Sequence, residues 1–401
     1  MIERPHYLDR LLRLRSTGFA KVLTGMRRTG KSGILRLLEQ RLREEGVGTA
    51  HLICLNLELA QNAQLRQAER LAAYIREHAA PDGITYILID EAQEVPGIAH
   101  LLYELIESRR FDVYLTGSHA KLIESELADI MGGRYVEVPI FPLSFAEYHA
   151  VHLQAAHGSS IARIFNDYLT TGGLPRALEL EGDAYALQEY LDGVYHTVVR
   201  RDVAATLGHE DPHLVDSISG HLVEHIGMPT SSNGISQTLS SSGRSCSDDT
   251  VSRYLTALTD AYAFYRMRRL DLKAGTVLKT QERYFASDLG LCTLFRGPRQ
   301  TRLEGLLQNA VYLELRRRYA RIYAAKHYNR HIDFVADGTD GRAYFQVKAS
   351  VLDAKTLEQT IAPLQAERDN YPKTILTLDE IGVGSHNGIM QRNLIEWLLD
   401  S

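Results

Sequence analysis

The residues best suited to chemistry by type and spacing lie near the N-terminus, in a stretch that matches the pattern G-x-x-x-x-G-K-[ST] in full. Glycines let the backbone curl so that its N–H groups point at a phosphate. Lysine adds a positive charge at the β- and γ-phosphate oxygens, and the serine hydroxyl is a ligand for Mg²⁺. The sequence therefore predicts a nucleotide-phosphate site, here named the P-loop, formed by Gly25, Met26, Arg27, Arg28, Thr29, Gly30, Lys31, Ser32 and Gly33.

The segments on either side of the P-loop are those that would position it. Residues 19–24 form a short strand-like run before the motif. After it, apolar residues recur at helical spacing, at Ile34, Leu37, Leu38 and Leu42. A chance match in a glycine-rich loop is the alternative, and a strand before the motif with a helix after it argues against that alternative.

Two acidic residues end a strand further along the chain. Residues 84–91 are mainly apolar until they reach Asp90 and Glu91, and another strand-like run, 50–57, separates them from the P-loop. A continuously apolar strand suits a parallel sheet, in which an acid at the carboxyl end lies beside bound phosphates. We expect Asp90 to hold Mg²⁺ through water and Glu91 to polarise the attacking water. The guanine-recognition pattern Asn-Lys-x-Asp does not occur, so the predicted nucleotide is ATP.

Further polar groups follow the next strand-like run. Residues 111–116 end in Thr116, and Ser118 follows, so both side chains could sense the γ-phosphate; a simple strand-ending turn is the alternative. Arg134 comes directly after Gly132 and Gly133. It is a candidate arginine finger acting on its own site or on a neighbour's, and an ordinary surface arginine is the alternative.

These segments together resemble a known family. The P-loop, residues 88–93 (Leu-Ile-Asp-Glu-Ala-Gln), 115–118 (Leu-Thr-Gly-Ser), 132–135 (Gly-Gly-Arg-Tyr) and 142–148 are similar to the motifs of a large group of prokaryotic AAA-superfamily (AAA+/STAND-like) P-loop ATPases. The resemblance covers essentially the whole chain. It implies that Arg134 is an arginine finger, that Gly172 opens a helical lid, and that Arg176 is a second phosphate sensor. For Arg176, a capped helix start with an exposed arginine is the alternative.

The middle of the chain has the pattern of a winged helix. Three helical runs are followed by two strand-like runs, 263–269 and 279–285, in the place of a wing. Ser247 is the expected N-cap of the third helix. The core face of that helix would carry Val251, Tyr254, Leu255 and Leu258. Such a unit either binds DNA, with the basic strand contacting phosphates, or only packs within the ATPase or between subunits.

The C-terminal segment has the order helix, strand, strand, helix, strand. Period-2 alternation places Gln346 and Lys348 on one face, and a hairpin could set Asp333 opposite them. This arrangement resembles the restriction-endonuclease-like nucleases, in which Asp and then Glu-x-Lys hold Mg²⁺ and activate water. By that resemblance Asp333 is a metal ligand, Lys348 the water-orienting base and Glu304 an extra helical ligand. Gln346 stands where Glu is expected, and it can ligate Mg²⁺ only through an uncharged carbonyl.

Two alternatives stay open for this segment. The nuclease fold is either active or kept as an inactive module for binding or packing. The basic tract that begins at Arg316, Arg317 and Arg318 contains interleaved tyrosines, among them Tyr319. It is either a solvated helix face or a nucleic-acid surface.

Length and composition bound these hypotheses. A chain of 401 residues exceeds what one hydrophobic core usually organises. The expected α/β fold has four domains: a P-loop ATPase core with a parallel sheet (1–155), a helical lid (156–214), a winged helix (215–300) and a restriction-endonuclease-like domain (301–401). A net charge of −5 gives no global attraction for nucleic acid, so DNA binding would need a local basic surface. The absence of a signal-peptide pattern and of a long apolar run predicts a soluble cytoplasmic protein without membrane contact.

Two function hypotheses follow. In the first, the protein is an ATPase with Mg²⁺ whose nucleotide state directs the C-terminal domains on DNA, with metal-dependent nuclease activity. In the second, it is a regulatory ATPase switch or scaffold whose inactive nuclease fold binds DNA or protein partners. A homo-oligomer is compatible with either. A protein remodeller is a weaker third hypothesis, because the sequence has no aromatic-Gly pore-loop signature.

Overall fold

The structure, a computed structural model, describes residues 2–118, 127–154, 158–208, 211–244, 246–295, 303–327 and 330–400. The chain divides into two compact units. The first unit is Met1–Phe141 with Asp260–Tyr262, and the second is Pro142–Thr259 with Ala263–Ser401. In neither unit does a described helix combine the length and the apolar composition needed to cross a membrane.

The first unit is built on a five-stranded sheet in which all strands are parallel, in the order β2-β3-β4-β1-β5. Its strands are β1 (Ala20–Thr24), β2 (Leu52–Asn56), β3 (Thr85–Asp90), β4 (Phe111–Gly117) and β5 (Tyr135–Pro139). The strands predicted before the P-loop and at 50–57, 84–91 and 111–116 are confirmed as β1 to β4. Every residue of β1 and β3 is buried, as expected for parallel strands covered on both faces.

Helices cover both faces of this sheet. They are α1 (Pro5–Arg13), α2 (Lys31–Glu44), α3 (Ala68–His78), α4 (Ile98–Glu107) and α5 (Ala128–Met131). Alternate residues of β3 enter different cores: Leu88 packs with α1 and α2, and Ile89 packs with α3, α4 and α5. Because all five strands are parallel, the carboxyl ends of β1, β3 and β4 lie at one edge of the sheet. The P-loop and the two acids therefore meet there.

The second unit begins with a series of helices. They are α6 (Phe145–Gln154), α7 (Ile161–Thr171), α8 (Ala184–Tyr195), α9 (Asp202–Leu207), α10 (Pro212–Glu224), α11 (Ser232–Ser241) and α12 (Asp248–Asp260). The last three are the helices predicted for the winged helix. The Ser247 hydroxyl accepts a hydrogen bond from the Thr250 N–H at 3.1 Å, which confirms the predicted N-cap. All four residues predicted for the core face of α12 are buried.

An eight-stranded sheet forms the rest of the second unit, in the order β12-β13-β11-β10-β9-β8-β6-β7. Its strands are β6 (Phe264–Asp271), β7 (Thr276–Ala286), β8 (Arg321–His327), β9 (Arg330–Gly338), β10 (Gly341–Val347), β11 (Lys373–Thr377), β12 (Gly384–His386) and β13 (Ile389–Asn393). Three helices accompany them: α13 (Leu303–Arg318), α14 (Ala354–Ala366) and α15 (Leu394–Leu399). The predicted wing hairpin, β6 and β7, joins this sheet because β6 pairs in parallel with β8. The predicted domain boundary at residue 300 thus lies between strands of one sheet, and the four-domain division stays a prediction.

Candidate functional site

The P-loop connects the end of β1 to the start of α2. Gly25 has a φ of +128°, and a Cβ there would lie 2.3 Å from the carbonyl oxygen of Ile140, so only glycine fits. The Lys31 ammonium donates hydrogen bonds to the carbonyl oxygens of Gly25 at 2.8 Å and Met26 at 2.9 Å. These bonds hold the lysine charge inside the curve of the loop.

The remaining residues of the P-loop divide into buried and exposed ones. Met26 and Thr29 are buried, and the Thr29 hydroxyl donates to the Met26 carbonyl at 3.0 Å. Arg28 is exposed. Gly30, with a φ of +101°, is the N-cap of α2, so the first turn of the helix contains Lys31, Ser32 and Gly33. The first N–H groups of a helix have no intrahelical acceptor and are available to an anion.

Asp90 lies beside the P-loop serine. Its Oδ1 accepts hydrogen bonds from the Ser32 hydroxyl at 3.0 Å and the Thr116 hydroxyl at 2.7 Å. Its Oδ2 accepts from the Asn56 amide at 3.0 Å. Burial raises the pKa of Asp90, and the hydrogen bonds from Thr116 and Ser32 oppose that shift. A hydroxyl and a carboxylate next to the Lys31 ammonium are the oxygen donors that Mg²⁺ takes together with phosphate, so Ser32 and Asp90 fit the predicted metal.

Glu91 is held next to these groups in an unusual backbone conformation. Its φ is +58°, in a region that non-glycine residues rarely adopt. Such backbone strain is often found at functional sites. Its N–H donates to the Thr116 hydroxyl at 2.9 Å, and its carboxylate accepts from the Ser118 hydroxyl at 3.1 Å and from the Gln93 amide. Arg27 Nη1 lies 3.8 Å from the same carboxylate. Thr116 thus connects the two acids, and Ser118 contacts Glu91.

Sequence reasoning missed two residues of this region. Asn56 ends β2 and contacts Asp90 from the neighbouring strand. Arg4 is buried, and its guanidinium donates to the carbonyl oxygens of Thr29 at 3.2 Å and Phe141 at 2.9 Å. Arg4 therefore connects the P-loop to the segment that follows β5. No local pattern marks Arg4, because its partners are carbonyls that lie 25 and 137 residues away.

Replacing Arg4 by alanine is expected to raise the KM for ATP about ten-fold, because hydrogen bonds from a charged donor hold the P-loop carbonyl of Thr29. Arg4→Lys should restore part of the affinity, since one ammonium can replace one of the two bonds. Steady-state ATP turnover gives KM and kcat separately. Tyr7→Phe is the matched control, since it removes the hydroxyl that accepts from the Phe141 N–H at 3.2 Å and keeps the ring that Arg4 lies over. A KM that stays at the wild-type value in Arg4→Ala would contradict this role.

Arg134 lies at the opposite end of the strands from the P-loop, beside the amino end of β1. Its carbonyl accepts a hydrogen bond from the N–H of Ala20, the first residue of β1, at 3.0 Å. A strand rises about 3.3 Å per residue, so β1 separates this position from the P-loop by about 15 Å. The guanidinium lies 2.6 Å from Glu107 of α4 and stacks on Tyr103. This position argues against action on its own site, and the role of Arg134 as an arginine finger stays a prediction beside the alternative of an ordinary surface arginine.

Comparison with known proteins agrees with this geometry. Residues 18–149 match a family model described as an AAA domain, and residues 162–301 match one described as a domain of unknown function (DUF8612). The Walker-type ATPase PABY2304 of Pyrococcus abyssi has a similar fold, with a TM-score of 0.52 and 15% identity, over 74% of this chain and 96% of that one. The match over residues 18–149 supports a P-loop ATPase of the AAA superfamily in this part of the chain.

Relatives of the whole chain occur in distant organisms. An uncharacterized protein of Haemophilus influenzae is 31% identical over 401 residues, which cover 100% of this chain and 99% of the relative. An uncharacterized protein of Methanocaldococcus jannaschii is 23% identical over 383 residues, which cover 90% of this chain and 82% of the relative. The similarity therefore spans the AAA domain and the second unit together.

Arg176, which was predicted to lie in a helical lid, belongs to the second unit. It is exposed, and its Nε lies 3.7 Å from the Glu179 carboxylate. The loop that leads to it is anchored by the fully buried Asp288, whose carboxylate accepts from the Gly173 N–H at 2.7 Å. Burial raises the pKa of Asp288 to about 6, although several backbone N–H groups donate to it. The role of Arg176 as a phosphate sensor stays a prediction.

The residues of the predicted nuclease centre do come together in the second unit. Asp333 on β9 lies beside Gln346 on β10: the Asp333 N–H donates to Gln346 Oε1 at 3.1 Å. The Lys348 ammonium lies 3.3 Å from Glu304 at the start of α13. Sequence reasoning missed Arg283 of β7, whose guanidinium contacts Asp333 at 3.3 Å. A cleft of about 250 Å³ is lined by Arg283, Glu304, Asp333 and their neighbours.

These residues do not fit the predicted Mg²⁺. Asp333 Oδ1 is paired with Arg283, and Oδ2 accepts from the Val347 N–H at 3.0 Å. Glu304 is paired with Lys348. Across the part of the chain that the structure describes, there is no group of three or more His, Cys, Asp or Glu that could hold a metal ion. The residues predicted for a nuclease centre thus lie together, and the Arg283 guanidinium contacts the aspartate that was predicted to bind the metal.

The first three arginines of the predicted basic tract, at the end of α13, pack within the second unit, and the two alternatives for the whole tract stay predictions. Arg317 donates to the Pro142 carbonyl at 2.8 Å. Arg318 donates to the Trp397 carbonyl at 3.0 Å and lies over the ring of Trp397. Arg316 lies over the ring of Tyr265. These three arginines therefore fasten elements of the second unit to one another, and Tyr328 of the same tract lies outside the described residues.

The segments predicted to form a winged helix carry charges of both signs, also on the basic strand predicted to contact DNA phosphates. The exposed start of α12 carries Asp248 and Asp249, which would oppose DNA phosphates. On β6, the exposed Arg266 and Arg268 each lie 3.9 Å from the carboxylate of Glu282. This distribution favours the predicted alternative in which these segments pack within the ATPase or between subunits, and the winged helix itself stays a prediction.

Proposed function

We propose that this protein is an ATP-hydrolysing switch: its AAA domain binds and hydrolyses ATP, and the nucleotide state controls what the second unit binds. The observation that carries the proposal is the hydrogen-bonded set that joins Ser32, Asp90, Thr116 and Glu91 beside the Lys31 ammonium. ATP turnover by the full chain with Mg²⁺ tests it, with Lys31 and Glu91 variants as the decisive comparisons. Absence of turnover by the wild type would contradict the proposal.

Each residue of the set has a separate task in this mechanism. The N–H groups of the P-loop and the Lys31 ammonium bind the β- and γ-phosphates. Ser32 and Asp90 would hold Mg²⁺, which neutralises phosphate charge when it is bound. Glu91 orients the attacking water and accepts its proton. Thr116 keeps the two acids in register, because it donates to Asp90 and accepts from the Glu91 N–H.

We further propose that Arg134 completes the site of a neighbouring subunit in a homo-oligomer. Its position at the opposite end of the strands from the P-loop supports this role, and its half-exposed side chain is accessible to a partner. An arginine finger stabilises the charge that develops on the transferred phosphate.

A mixing experiment tests this shared site. Arg134→Ala should lower kcat about ten-fold or more, because a charge-assisted hydrogen bond to the phosphate is lost. Glu91→Gln has an inactive site of its own and an intact Arg134. Mixtures of the two variants should turn over more ATP than the sum of the separate proteins. Turnover equal to that sum at all ratios would rule out a shared site.

For the second unit we propose binding without metal-dependent cleavage. The order α13-β8-β9-β10-α14-β11, with three antiparallel strands and a fourth parallel to the third, supports the predicted restriction-endonuclease-like fold. The occupied oxygens of Asp333 support an inactive centre. The acidic start of α12 makes a protein partner the better candidate than DNA.

A further inference from the structure

We infer that the guanidinium of Arg283 takes the place of the metal ion in the nuclease-like centre of the second unit. The inference rests on the restriction-endonuclease-like fold proposed above and is independent of the ATPase. Arg283 comes from the hairpin β6–β7, and its side chain is only 6% exposed. Its Nη1 lies 3.3 Å from Asp333 Oδ1, where a metal-binding aspartate would meet its cation.

The second oxygen of Asp333 is also in use. Oδ2 accepts a hydrogen bond from the Val347 N–H at 3.0 Å. Mg²⁺ requires near-octahedral oxygen coordination at about 2.0–2.1 Å, and it binds proteins through carboxylates whose oxygens face it. With the Asp333 side chain only 13% exposed, the carboxylate needs a cation, and Arg283 supplies it.

Gln346 stabilises the arrangement in which the Arg283 guanidinium replaces a metal ion. The regular pairing of β9 with β10 ends at Phe334 and Phe345. Beyond that pair, the Gln346 side chain makes the hydrogen bonds to β9 in place of backbone groups. Its Oε1 accepts from the Asp333 N–H at 3.1 Å, and its Nε2 donates to the His331 carbonyl at 2.8 Å. A glutamate could make the first bond, but it would repel the His331 carbonyl and add a second negative charge beside Asp333. The amide that departs from the nuclease pattern is thus the group that a metal-free centre requires.

The charges of the centre are balanced without a metal. Arg283 neutralises Asp333, and Lys348 neutralises Glu304. A divalent ion would have to displace Arg283 from Asp333. It would then meet the Gln346 amide at the position where the restriction-endonuclease-like pattern has a carboxylate. The lysine that would serve as a base for water is likewise paired with Glu304 at 3.3 Å.

Metal binding to the full, nucleotide-free chain tests the inference, with Mn²⁺ as the probe and the free ion measured by electron paramagnetic resonance. In the wild type, Asp333 should not be a ligand for Mn²⁺. The Asp333→Asn variant should therefore bind the same amount of Mn²⁺ as the wild type. The double variant Arg283→Met with Gln346→Glu should gain about one Mn²⁺ per chain and lose it again when Asp333→Asn is added. Arg268→Met, an exposed arginine of the same hairpin, is the matched control and should gain none.

Three results would overturn the inference. The first is a wild type that binds one Mn²⁺ per chain and loses it in Asp333→Asn. The second is Mn²⁺- or Mg²⁺-dependent DNA cleavage by the wild type that disappears in Lys348→Ala. The third is a double variant that is folded by circular dichroism and still binds no Mn²⁺. If the double variant does not fold, the wild-type measurements still test the inference. ATP turnover of the same preparations shows separately whether the AAA domain is active.

Discussion

Lys31→Ala is expected to lower the affinity for ATP by two to four orders of magnitude and to abolish turnover. The Lys31 ammonium is buried inside the P-loop, where it donates to two carbonyl oxygens. We expect a bound phosphate to receive these donors instead. A hydrogen bond from a charged group contributes about 1.5–3 kcal/mol, so the loss of two such bonds corresponds to roughly 10²- to 10⁴-fold in affinity.

Titration with a fluorescent ATP analogue measures the affinity, and phosphate release measures turnover. Arg36→Ala is the matched control, because Arg36 is an exposed cation on the same helix, α2, outside the P-loop. If only the total positive charge mattered, the two substitutions would weaken binding equally. Unchanged turnover in Lys31→Ala would overturn the assignment of the P-loop as the nucleotide site.

The first unit was largely predictable because its signals are local in the sequence. Buried parallel strands are mainly apolar runs, and β3 was recognised for that reason, whereas β1 was recognised as the short strand-like run before the P-loop. The Gly25 requirement also follows from the motif, since a tight turn needs a residue without Cβ. Asn56 could not be identified in the same way. Its contact with Asp90 depends on the parallel register of β2 and β3, which no local pattern fixes.

Arg4 and Arg283 show a second limit of sequence reasoning. Both are buried arginines whose partners lie far along the chain: Phe141 is 137 residues from Arg4, and Asp333 is 50 residues from Arg283. Composition and periodicity describe such residues only as surface cations, because arginine is rarely buried unless it is paired. The pairing arises from tertiary packing.

For the predicted nuclease centre, the sequence brought together part of the residues and left open whether the centre is active. Asp333 and Gln346 meet across β9 and β10, as the hairpin pattern predicted, because period-2 alternation and a short turn determine which residues face each other. The chemistry depends on a third strand, β7, that the sequence assigned to a separate wing. Only the pairing of β6 with β8 brings this hairpin into the same sheet. The contacts of Arg317 and Arg318 could not be predicted for the same reason, since their acceptors are backbone carbonyls of distant segments.

From its position in the AAA domain, we expect Glu91 to be needed for ATP hydrolysis but not for ATP binding. Its carboxylate contacts Ser118, Gln93 and Arg27, whereas Ser32 is bonded to Asp90. Removing the negative charge of Glu91 should therefore leave Lys31 and Ser32 in place, and of the P-loop residues only Arg27 loses a contact. The strained φ of +58° is already adopted by a residue with a Cβ, so glutamine, which has the same shape, can replace it without a further backbone cost.

Glu91→Gln is accordingly expected to bind ATP with near wild-type affinity and to hydrolyse it about 10²- to 10⁴-fold more slowly, because a general base contributes that much to rate. Single-turnover hydrolysis measures the chemical step, and the fluorescent analogue measures binding. Glu94→Gln, in the same turn and only partly buried, is the matched control and should hydrolyse ATP at the wild-type rate. Wild-type hydrolysis by Glu91→Gln would assign proton acceptance to another group. Loss of binding would mean that Glu91 shapes the phosphate site itself. The combination of tight binding and slow hydrolysis would make this variant the means to hold the switch in its ATP state.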